Sequence, residues 1–391
     1  MRTAPLRRTS TGRALPLGLI AVLFSAASLA AQDVAGIVLV EPFKVGTFAI
    51  RDIPRVGLVL RDAFIVDIEL ANEVLERNRA YPRVPAPTDM LDLIGRYEYG
   101  LQRRLYEIVN ETIAYQRLSG PTRAEYVYDV DEVRILPPIM YPGKILNAAS
   151  NFYSRVAADA PEGEQEEAIR QRRENRGVPY LYLKPSRGAV VGTSERIVIP
   201  HGRSQTDWEV ELGVVMGRAA KYVASEDAQA TVFGYTVTID VSDRGGRPPG
   251  GNPTPSDWLV EKGHDTFAPM GPWIVPKEFY GDPMEMLRQT LDVGGERMQE
   301  ATAGDMIHSL WELIEYASSI VTLFPGDVIN LGTSGGVGMG EARFLQPGDV
   351  VTATIDGIGT IELPVVEGPE PLGDRGVRLP PVSTYRRDPG S

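Results

Sequence analysis

The most informative feature of the sequence for the fold is a strongly apolar segment at residues 207–217, in which the acidic pair Glu209 and Glu211 follows Asp207. The continuous run of Leu, Gly, Val and Met that follows the acids predicts a buried β-strand. Glu209 and Glu211 are two residues apart in that strand, so their side chains leave it on the same face. Because two neighbouring carboxylates repel each other and resist burial, the strand needs surroundings that neutralise both charges.

Two kinds of surroundings meet that requirement. In the first, the strand lies at the edge of a sheet, and both acids form salt bridges in water. In the second, both acids bind a hard divalent cation such as Mg²⁺ or Ca²⁺, which prefers oxygen ligands. A second β-rich segment, residues 232–244, supplies a third carboxylate at Asp240 and then a turn. An acid on a neighbouring strand is what the Glu-x-Glu pair needs to complete a metal site, and from these residues alone both arrangements stay open.

Both segments carry a resemblance to a known family. They resemble the E-x-E-L-x-V-V-x-G and G-Y-T-x-x-N-D-x-S-x-R motifs of the fumarylacetoacetate hydrolase superfamily, and the likeness extends over residues 144–366. Members of this superfamily bind Mg²⁺, and sometimes Mn²⁺ or Ca²⁺, through two glutamates and one aspartate. The resemblance therefore implies Mg²⁺, or Mn²⁺ or Ca²⁺ in its place, on Glu209, Glu211 and Asp240.

Further matching segments imply residues around the metal. The segment that begins at Val260 resembles the family's K-x-x-D-x-x-x-P-x-G-P motif, which implies that Lys262 is a catalytic residue that neutralises an enolate or carboxylate. The entry strand and the glycine-rich loop match as well. The resemblance implies that substrate is bound by Arg244, Thr333, Ser334, Gly335, Asn151 and Tyr153. For Tyr153, the alternative of an ordinary core aromatic stays open.

The sequence departs from the family at the position of the general base. Hydrolytic members place a histidine, paired with a glutamate, shortly after the entry strand, where this chain has Arg155 and Ala158. Its three histidines, His201, His264 and His308, all lie elsewhere. A general base works best with a pKa near the working pH, which is why histidine usually fills the role. The family's hydrolytic step therefore lacks its usual base here.

Two groups are candidates to replace that base. Residues 157–176 are highly charged, and the family uses this region as a mobile lid over the metal, so a lid carboxylate is one candidate. The second is His264, which stands close to Lys262. The simpler interpretations are a solvated helix with i,i+4 ion pairs for the charged stretch and a bystander role for His264.

Charge and loop spacing exclude two classes of partner. The formal net charge of −12 argues against nucleic acid, because phosphate binding requires basic patches. The glycine-rich loop at residues 332–338 lets backbone N–H groups approach a ligand carboxylate, but it lacks the spacing of a Walker loop. A small anionic substrate remains possible, and the family resemblance implies that this substrate is an oxo acid.

The N-terminus has the pattern of a secretory signal peptide. Four arginines precede an apolar run at residues 15–29, which ends in a small-x-small site before a cut after Ala30 or Ala31. The run is short for a membrane span, although an uncleaved anchor is the alternative. We predict a periplasmic or secreted protein with no membrane contact after cleavage. The chain has no cysteine, which excludes disulfides and a thiol nucleophile.

The length of 391 residues fits one large domain or two ordinary ones. We predict a signal peptide (1–31), a small N-terminal β-rich domain with helices (32–136), a catalytic domain (137–367) and a surface tail (368–391). Short strands are expected over residues 37–40, 44–50, 55–60 and 64–68, followed by a helix capped at Thr88 and a longer helix over residues 97–114. The expected fold class is α+β and β-rich, with the family's mixed β-roll, and the resemblance implies a homodimer.

Two functions of different kinds follow. The first is a metal-dependent, hydrolase-like enzyme for a β-dicarbonyl or 2-oxo acid, in which the metal stabilises an enolate during carbon–carbon hydrolysis, decarboxylation, hydration or tautomerisation. The second is a binding protein that keeps the chelating site and has lost turnover, because the family histidine is missing.

Overall fold

The computed structural model describes residues 33–34, 36–246 and 257–373. The predicted signal peptide lies outside this part of the chain, and so do residues 374–391 of the predicted tail. Within the described part, no helix is long and apolar enough to cross a lipid bilayer.

The described residues form the β-rich α+β fold that the sequence predicts, with two large mixed sheets. The first eleven strands are β1 (Asp33–Val34), β2 (Ile37–Val38), β3 (Lys44–Ile50), β4 (Ile53–Leu60), β5 (Phe64–Asp67), β6 (Val127–Asp129), β7 (Arg134–Ile135), β8 (Ile145–Ala148), β9 (Leu181–Lys184), β10 (Val190–Val191) and β11 (Ile197–Ile199). The others are β12 (Thr206–Asp207), β13 (Val210–Met216), β14 (Val232–Ile239), β15 (Ser242–Asp243), β16 (Ala268–Pro276), β17 (Arg288–Val293), β18 (Glu296–Thr302), β19 (Val328–Asn330), β20 (Val350–Ile355) and β21 (Gly359–Glu367).

Helices lie around these sheets. The α-helices of the described residues are α1 (Ile68–Glu76), α2 (Met90–Arg96), α3 (Leu101–Ala114), α4 (Tyr153–Asp159), α5 (Gln165–Glu174), α6 (Trp258–Lys262), α7 (Lys277–Tyr280), α8 (Pro283–Met286), α9 (Leu310–Ile320) and α10 (Gly338–Glu341). Short 3₁₀ helices occupy Tyr97–Tyr99, Gly120–Thr122, Val130–Glu132, Ser225–Thr231, Arg244–Gly246 and Ala303–Asp305.

The larger sheet has twelve strands. Its order is β6-β5-β4-β3-β16-β14-β13-β19-β8-β9, with β10 beside β16 and β7 beside β3. The N-terminal strands join the others where Val45 of β3 pairs with Ile274 of β16. The N-terminal strands thus share one continuous sheet with the C-terminal part of the chain. The division into domains at residues 136 and 137 stays a prediction.

The main hydrophobic core lies between this sheet and the second one. The second sheet has five strands in the order β11-β21-β20-β17-β18. Val210, Leu212 and Val214 of β13 belong to the same buried cluster as Leu291 and Ile361 of the second sheet, and all five are fully buried. One face of β13 is therefore committed to the core, which leaves the alternate residues of that strand to face the other way.

Local sequence patterns predicted several of the N-terminal elements, but not strands β1, β6 and β7. Strands β3, β4 and β5 and helix α3 are confirmed. Helix α2 begins at Met90 with Asp89 as its N-cap, because the Asp89 carboxylate accepts the Asp92 N–H at 2.8 Å. Thr88 is therefore not the cap: its N–H donates to the Asp92 carboxylate. Helix α1 was not predicted.

The charged stretch forms helices α4 and α5, as expected for a solvated helical segment, and no residue of α5 is buried. Arg176, just beyond α5, fixes its C-terminal end to the body of the protein. The guanidinium donates to both carboxylate oxygens of Glu312 at 2.8 Å and to the carbonyl of Ile307 at 2.8 Å. Movement of this segment therefore requires the bonds to helix α9 to break.

Arg176 also sets the protonation state of a buried histidine. Burial and the neighbouring Arg176 charge lower the pKa of His308 from its ordinary value of 6.5. The His308 Nδ1 lies 3.3 Å from an Arg176 nitrogen, which can only donate, so the ring accepts there and is neutral.

This histidine predicts a pH dependence of stability. Since the folded pKa is lowered, the unfolded chain binds more protons just below pH 6.5, so stability present above that pH is lost as the pH falls. We expect acidification from pH 7 to pH 5 to lower the unfolding free energy more in the wild type than in His308→Asn, which keeps a neutral acceptor. Urea unfolding at both pH values measures this difference, and equal losses in the two proteins contradict it.

Candidate active site

Strand β13 places two carboxylates in the interior of the larger sheet. It pairs with β14 on one side and with β19 on the other. Glu209, directly before the strand, is 7% exposed, and Glu211 within it is 1% exposed. An edge strand with both acids in water is therefore excluded, and the two charges must be neutralised inside the fold.

The third predicted acid lies beside them. Asp240 follows the end of β14, and its N–H donates to the Glu209 carbonyl at 2.8 Å, which continues the pairing of the two strands. A carboxylate oxygen from each of Glu209, Glu211 and Asp240 lies within 4.8 Å of the others, and all three residues are buried. The structure thus brings together the three residues that the sequence predicts as metal ligands. We refer to them as the acidic cluster.

Two lysines and a tyrosine contact the acidic cluster. The Lys262 Nζ bridges two of its members, at 2.8 Å from Glu209 Oε2 and 2.6 Å from Asp240 Oδ2. The Lys184 Nζ donates to Asp240 Oδ1 at 2.5 Å, and the Tyr182 hydroxyl donates to Asp240 Oδ2. Asp240, which is fully buried, therefore has all of its charge met by donors.

The two lysines differ in their electrostatic surroundings. Burial, reinforced by the nearby Lys262 charge, lowers the pKa of Lys184 to about 8. Lys262 is buried as well, but the two carboxylates that it bridges outweigh that effect and raise its pKa. Lys262 is therefore the lysine that stays charged throughout the neutral range.

Arg244 links the acidic cluster to the loop before it. Its Nε donates to Asp207 Oδ2 at 2.9 Å, and its other end donates to Glu209. Asp207 in turn accepts the backbone N–H groups of Gly338 and Met339 at 2.7 and 3.1 Å. The guanidinium is thus held in place from both sides.

The surroundings shift the pKa values of Glu209 and Glu211 in opposite directions. Burial raises the pKa of Glu209, but the positive charges of Arg244, Lys262 and Arg155 outweigh burial and lower it well below its ordinary value. Burial, together with the charges of Asp240 and Glu209, raises the pKa of Glu211 well above its ordinary value. The donor to Glu211 within the described part of the chain is the Gly332 backbone N–H, at 2.7 Å.

This contrast shows that the acidic cluster fits a divalent cation. The atoms that it offers as metal ligands are all carboxylate oxygens, which Mg²⁺, Mn²⁺ and Ca²⁺ prefer. A cation between them would remove the repulsion that raises the pKa of Glu211. The Lys262 ammonium, already shared by Glu209 and Asp240, shows that the position attracts positive charge.

A cavity of about 310 Å³ opens beside the acidic cluster. Polar and charged groups predominate among the described residues of its wall. These residues are Ala148, Ala149, Ser150, Arg155, Asp159, Tyr182, Glu209, Arg244, Trp258, Glu261, Lys262, Thr333 and Met339. A cavity of this size and polarity suits a small charged ligand.

The structure places the other predicted substrate residues differently. Thr333 lines the cavity, and its hydroxyl donates to the Val210 carbonyl at 2.8 Å. The side chain of Asn151 is used by the backbone, since its amide donates to two carbonyls and its oxygen accepts an N–H. The cavity wall does not include Asn151, Tyr153, Ser334 or Gly335 among its described residues. Substrate contacts by these four residues stay predictions.

Several residues of the site were not predicted. Tyr182 and Lys184 occupy alternate positions of β9, so their i, i+2 spacing in the sequence indicated that they share a face of the strand. The ring of Trp258 stacks on Tyr182 with ring centres 4.4 Å apart, and no local pattern signals that contact. Arg155 was noted at the position of the missing histidine, but its place in the cavity wall was not expected.

The fold and the acidic cluster together define a buried carboxylate cluster that fits a divalent cation, on the face of a mixed β-sheet. The chain belongs to the fumarylacetoacetate hydrolase family: the family model for the C-terminal domain of fumarylacetoacetate (FAA) hydrolase matches residues 149–366. The matched region contains the whole acidic cluster, Lys262 and Arg244.

Individual relatives have several different activities. A 2,4-didehydro-3-deoxy-L-rhamnonate hydrolase from Sphingomonas sp. (strain SKA58) is 39% identical over 185 residues, which cover 46% of this chain and 63% of the relative. A mitochondrial oxaloacetate tautomerase from Bos taurus is 36% identical over 232 residues, 59% of this chain and 68% of the relative.

A solved structure of a relative contains a metal. The crystal structure of maleylpyruvate hydrolase from Sphingobium sp. SYK-6, in complex with manganese (II) ion and pyruvate, matches with a TM-score of 0.60 and 27% identity. The match covers 83% of this chain and all of that one. The relatives are thus hydrolases and a tautomerase, and one of them binds a divalent metal together with an oxo acid.

Proposed function

We propose that the protein is a divalent-metal-dependent enzyme that acts on a small β-dicarbonyl or 2-oxo acid. The reactions that fit are hydrolysis of a carbon–carbon bond, decarboxylation, hydration and tautomerisation. The observation that carries the proposal is the buried acidic cluster at the wall of a polar cavity that also presents Lys262 and Arg244. The activities of the relatives support the same class of substrate. We propose Mg²⁺ as the native metal, with Mn²⁺ or Ca²⁺ able to replace it.

The residues of the chain have separable roles in this proposal. A divalent ion held by Glu209, Glu211 and Asp240 would supply Lewis-acid stabilisation of the negative charge that develops on a substrate oxygen. Lys262 supplies a second, permanent positive charge, because its pKa is raised. Since these groups are buried and hydrogen-bonded before substrate arrives, they need little reorganisation during the reaction.

The test is turnover with and without metal. We expect the purified protein with Mn²⁺ to turn over at least one member of a panel of maleylpyruvate, acylpyruvates and the oxaloacetate enol, followed by absorbance. EDTA should remove that activity, and added Mn²⁺ should restore it. A panel with no turnover above background, on protein shown to hold metal, contradicts the enzyme proposal.

One observation favours the second candidate, a metal-dependent binding protein for small oxo acids. Arg155 occupies the position of the family histidine, lines the cavity, and cannot act as a base because it does not lose its proton in proteins. The turnover test with the substrate panel distinguishes the enzyme from the binding protein. Metal-dependent binding of oxalate or pyruvate without any turnover supports the binding protein.

We also propose that the mature protein is exported and forms a homodimer. The support is the arginine-led apolar segment before a small-x-small site at the N-terminus, together with the family resemblance for the dimer. N-terminal sequencing of protein recovered from the periplasm should begin at Ala31 or Gln32, and light scattering should give twice the chain mass. An intact N-terminus or a monomer mass contradicts the respective proposal.

A further inference from the structure

Arg155 is a charged group of the cavity that the metal site does not use. It lies on helix α4 and is 7% exposed, yet it lines the cavity together with Glu209 and Lys262. Its Nη1 donates to Asp159 Oδ1 at 2.9 Å, and Asp159 is the only hydrogen-bond partner it has among the described residues. A guanidinium offers five N–H donors, so most of its capacity is unused.

The other two cations among the described residues of the cavity wall each pair with two buried carboxylates. Lys262 bridges Glu209 and Asp240, and Arg244 bridges Asp207 and Glu209. Arg155 differs, because its single partner, Asp159, has a side chain that is 40% exposed and therefore shares its charge with water. Burying a guanidinium with one partially hydrated counter-ion is unfavourable unless a second anion completes its contacts.

Arg155 and the acidic cluster face the same cavity. Glu209 and Arg155 both line this cavity, so a ligand held at the acidic cluster lies in the same cavity as the guanidinium. A small molecule that contacts Lys262 at one end of the cavity has Arg155 within the same wall. Arginine is the side chain best suited to hold a carboxylate, through two parallel N–H···O bonds.

We infer that Arg155 is a specificity-determining residue that binds a second carboxylate of the substrate, at the part of the cavity wall formed by helix α4. This inference rests on the proposed function and narrows its substrate class to oxo acids with two carboxylates. At the position where hydrolytic members of the family have a histidine that acts as a general base, this chain thus has an arginine that binds an anion.

The test uses two ligands of equal length. 2-Oxoglutarate and 2-oxopentanoate differ only in that a terminal carboxylate replaces a methyl group. We expect calorimetry of the full chain with Mn²⁺ to show that 2-oxoglutarate binds about 10- to 100-fold more tightly, as one charge-assisted carboxylate contact provides. Arg155→Met should reduce that ratio to below about 3-fold and leave the affinity for 2-oxopentanoate unchanged.

Two further variants separate specificity from folding. Arg155→Lys keeps the positive charge but cannot form the two parallel N–H···O bonds of a guanidinium. It should therefore retain an intermediate preference for the diacid. Arg170→Met removes an exposed arginine of α5 that also pairs with a carboxylate, and it should behave as the wild type. Unchanged binding of 2-oxopentanoate by Arg155→Met shows that the variant is folded.

The remaining outcomes overturn the inference. Equal affinity of the wild type for the two ligands contradicts the inference that a second carboxylate is bound. A preference for the diacid that survives in Arg155→Met contradicts the inference that Arg155 binds it. An Arg155→Met variant that loses both ligands equally shows that the residue is only structural. If neither ligand binds the wild type in the presence of Mn²⁺, the proposed function itself fails, and the inference fails with it.

Discussion

Glu211→Gln is expected to abolish the stabilisation that Mn²⁺ and oxalate give to this protein, while the metal-free protein becomes no less stable. In the metal-free state, burial and the charges of Asp240 and Glu209 raise the pKa of Glu211 above its ordinary value of 4.5. Because the folded pKa is raised, the carboxyl contributes stability at low pH that is lost as the pH rises above 4.5. A neutral glutamine avoids that loss, and its carbonyl can still accept the Gly332 N–H.

With metal present, the sign of the effect reverses. A bound ion at about 100 times its dissociation constant stabilises the fold by about 2.7 kcal/mol, which raises the melting temperature on the order of 5 °C for a chain of this size. Removing groups that only orient metal ligands already weakens affinity about 10- to 100-fold, so removing a ligand should cost at least about 100-fold. Thermal melts with EDTA and with Mn²⁺ plus oxalate measure both effects.

The matched control is Glu315→Gln, which makes the same change at an exposed position of α9. It should melt like the wild type in both buffers. If Glu211→Gln keeps the full response to Mn²⁺ and oxalate, the acidic cluster is not the metal site.

Lys262→Met is expected to destabilise the metal-free protein by about 3–5 kcal/mol, because it leaves two buried carboxylates without the ammonium they share. A divalent ion neutralises the same carboxylates, so Mn²⁺ should recover part of that stability. Turnover should not recover, because the ion cannot also provide the charge that Lys262 presents to the substrate.

Urea unfolding with EDTA and with Mn²⁺ separates these effects. The control is Lys277→Met, which removes a lysine that is 25% exposed and lies 3.2 Å from Glu98, and it should cost less than about 1 kcal/mol. A Lys262→Met variant that is as stable as this control shows that Lys262 does not hold the acidic cluster together. A variant with normal turnover shows that Lys262 has no catalytic role.

Short-range patterns in the sequence placed the three acids at two β-strands, and the family resemblance identified them as metal ligands. The i, i+2 spacing of Glu209 and Glu211 and the place of Asp240 directly after β14 are local properties. Strands β13 and β14, which pair with each other, are also close in the chain. Arg155 and Trp258 were different, because their places in the cavity depend on how α4 and α6 pack against the sheet. The pairing of β3 with β16 joins residues more than 200 positions apart, which no local periodicity encodes.

The bridge made by Lys262 has a consequence for how the protein matures. In zinc fingers the chain stays unfolded until its ion binds, because the free energy of ion binding drives folding. Here an ammonium belonging to the chain holds Glu209 and Asp240 together from the start. Folding therefore does not have to wait for an ion, and loading can follow as a separate and later event, in whichever compartment the ion is supplied.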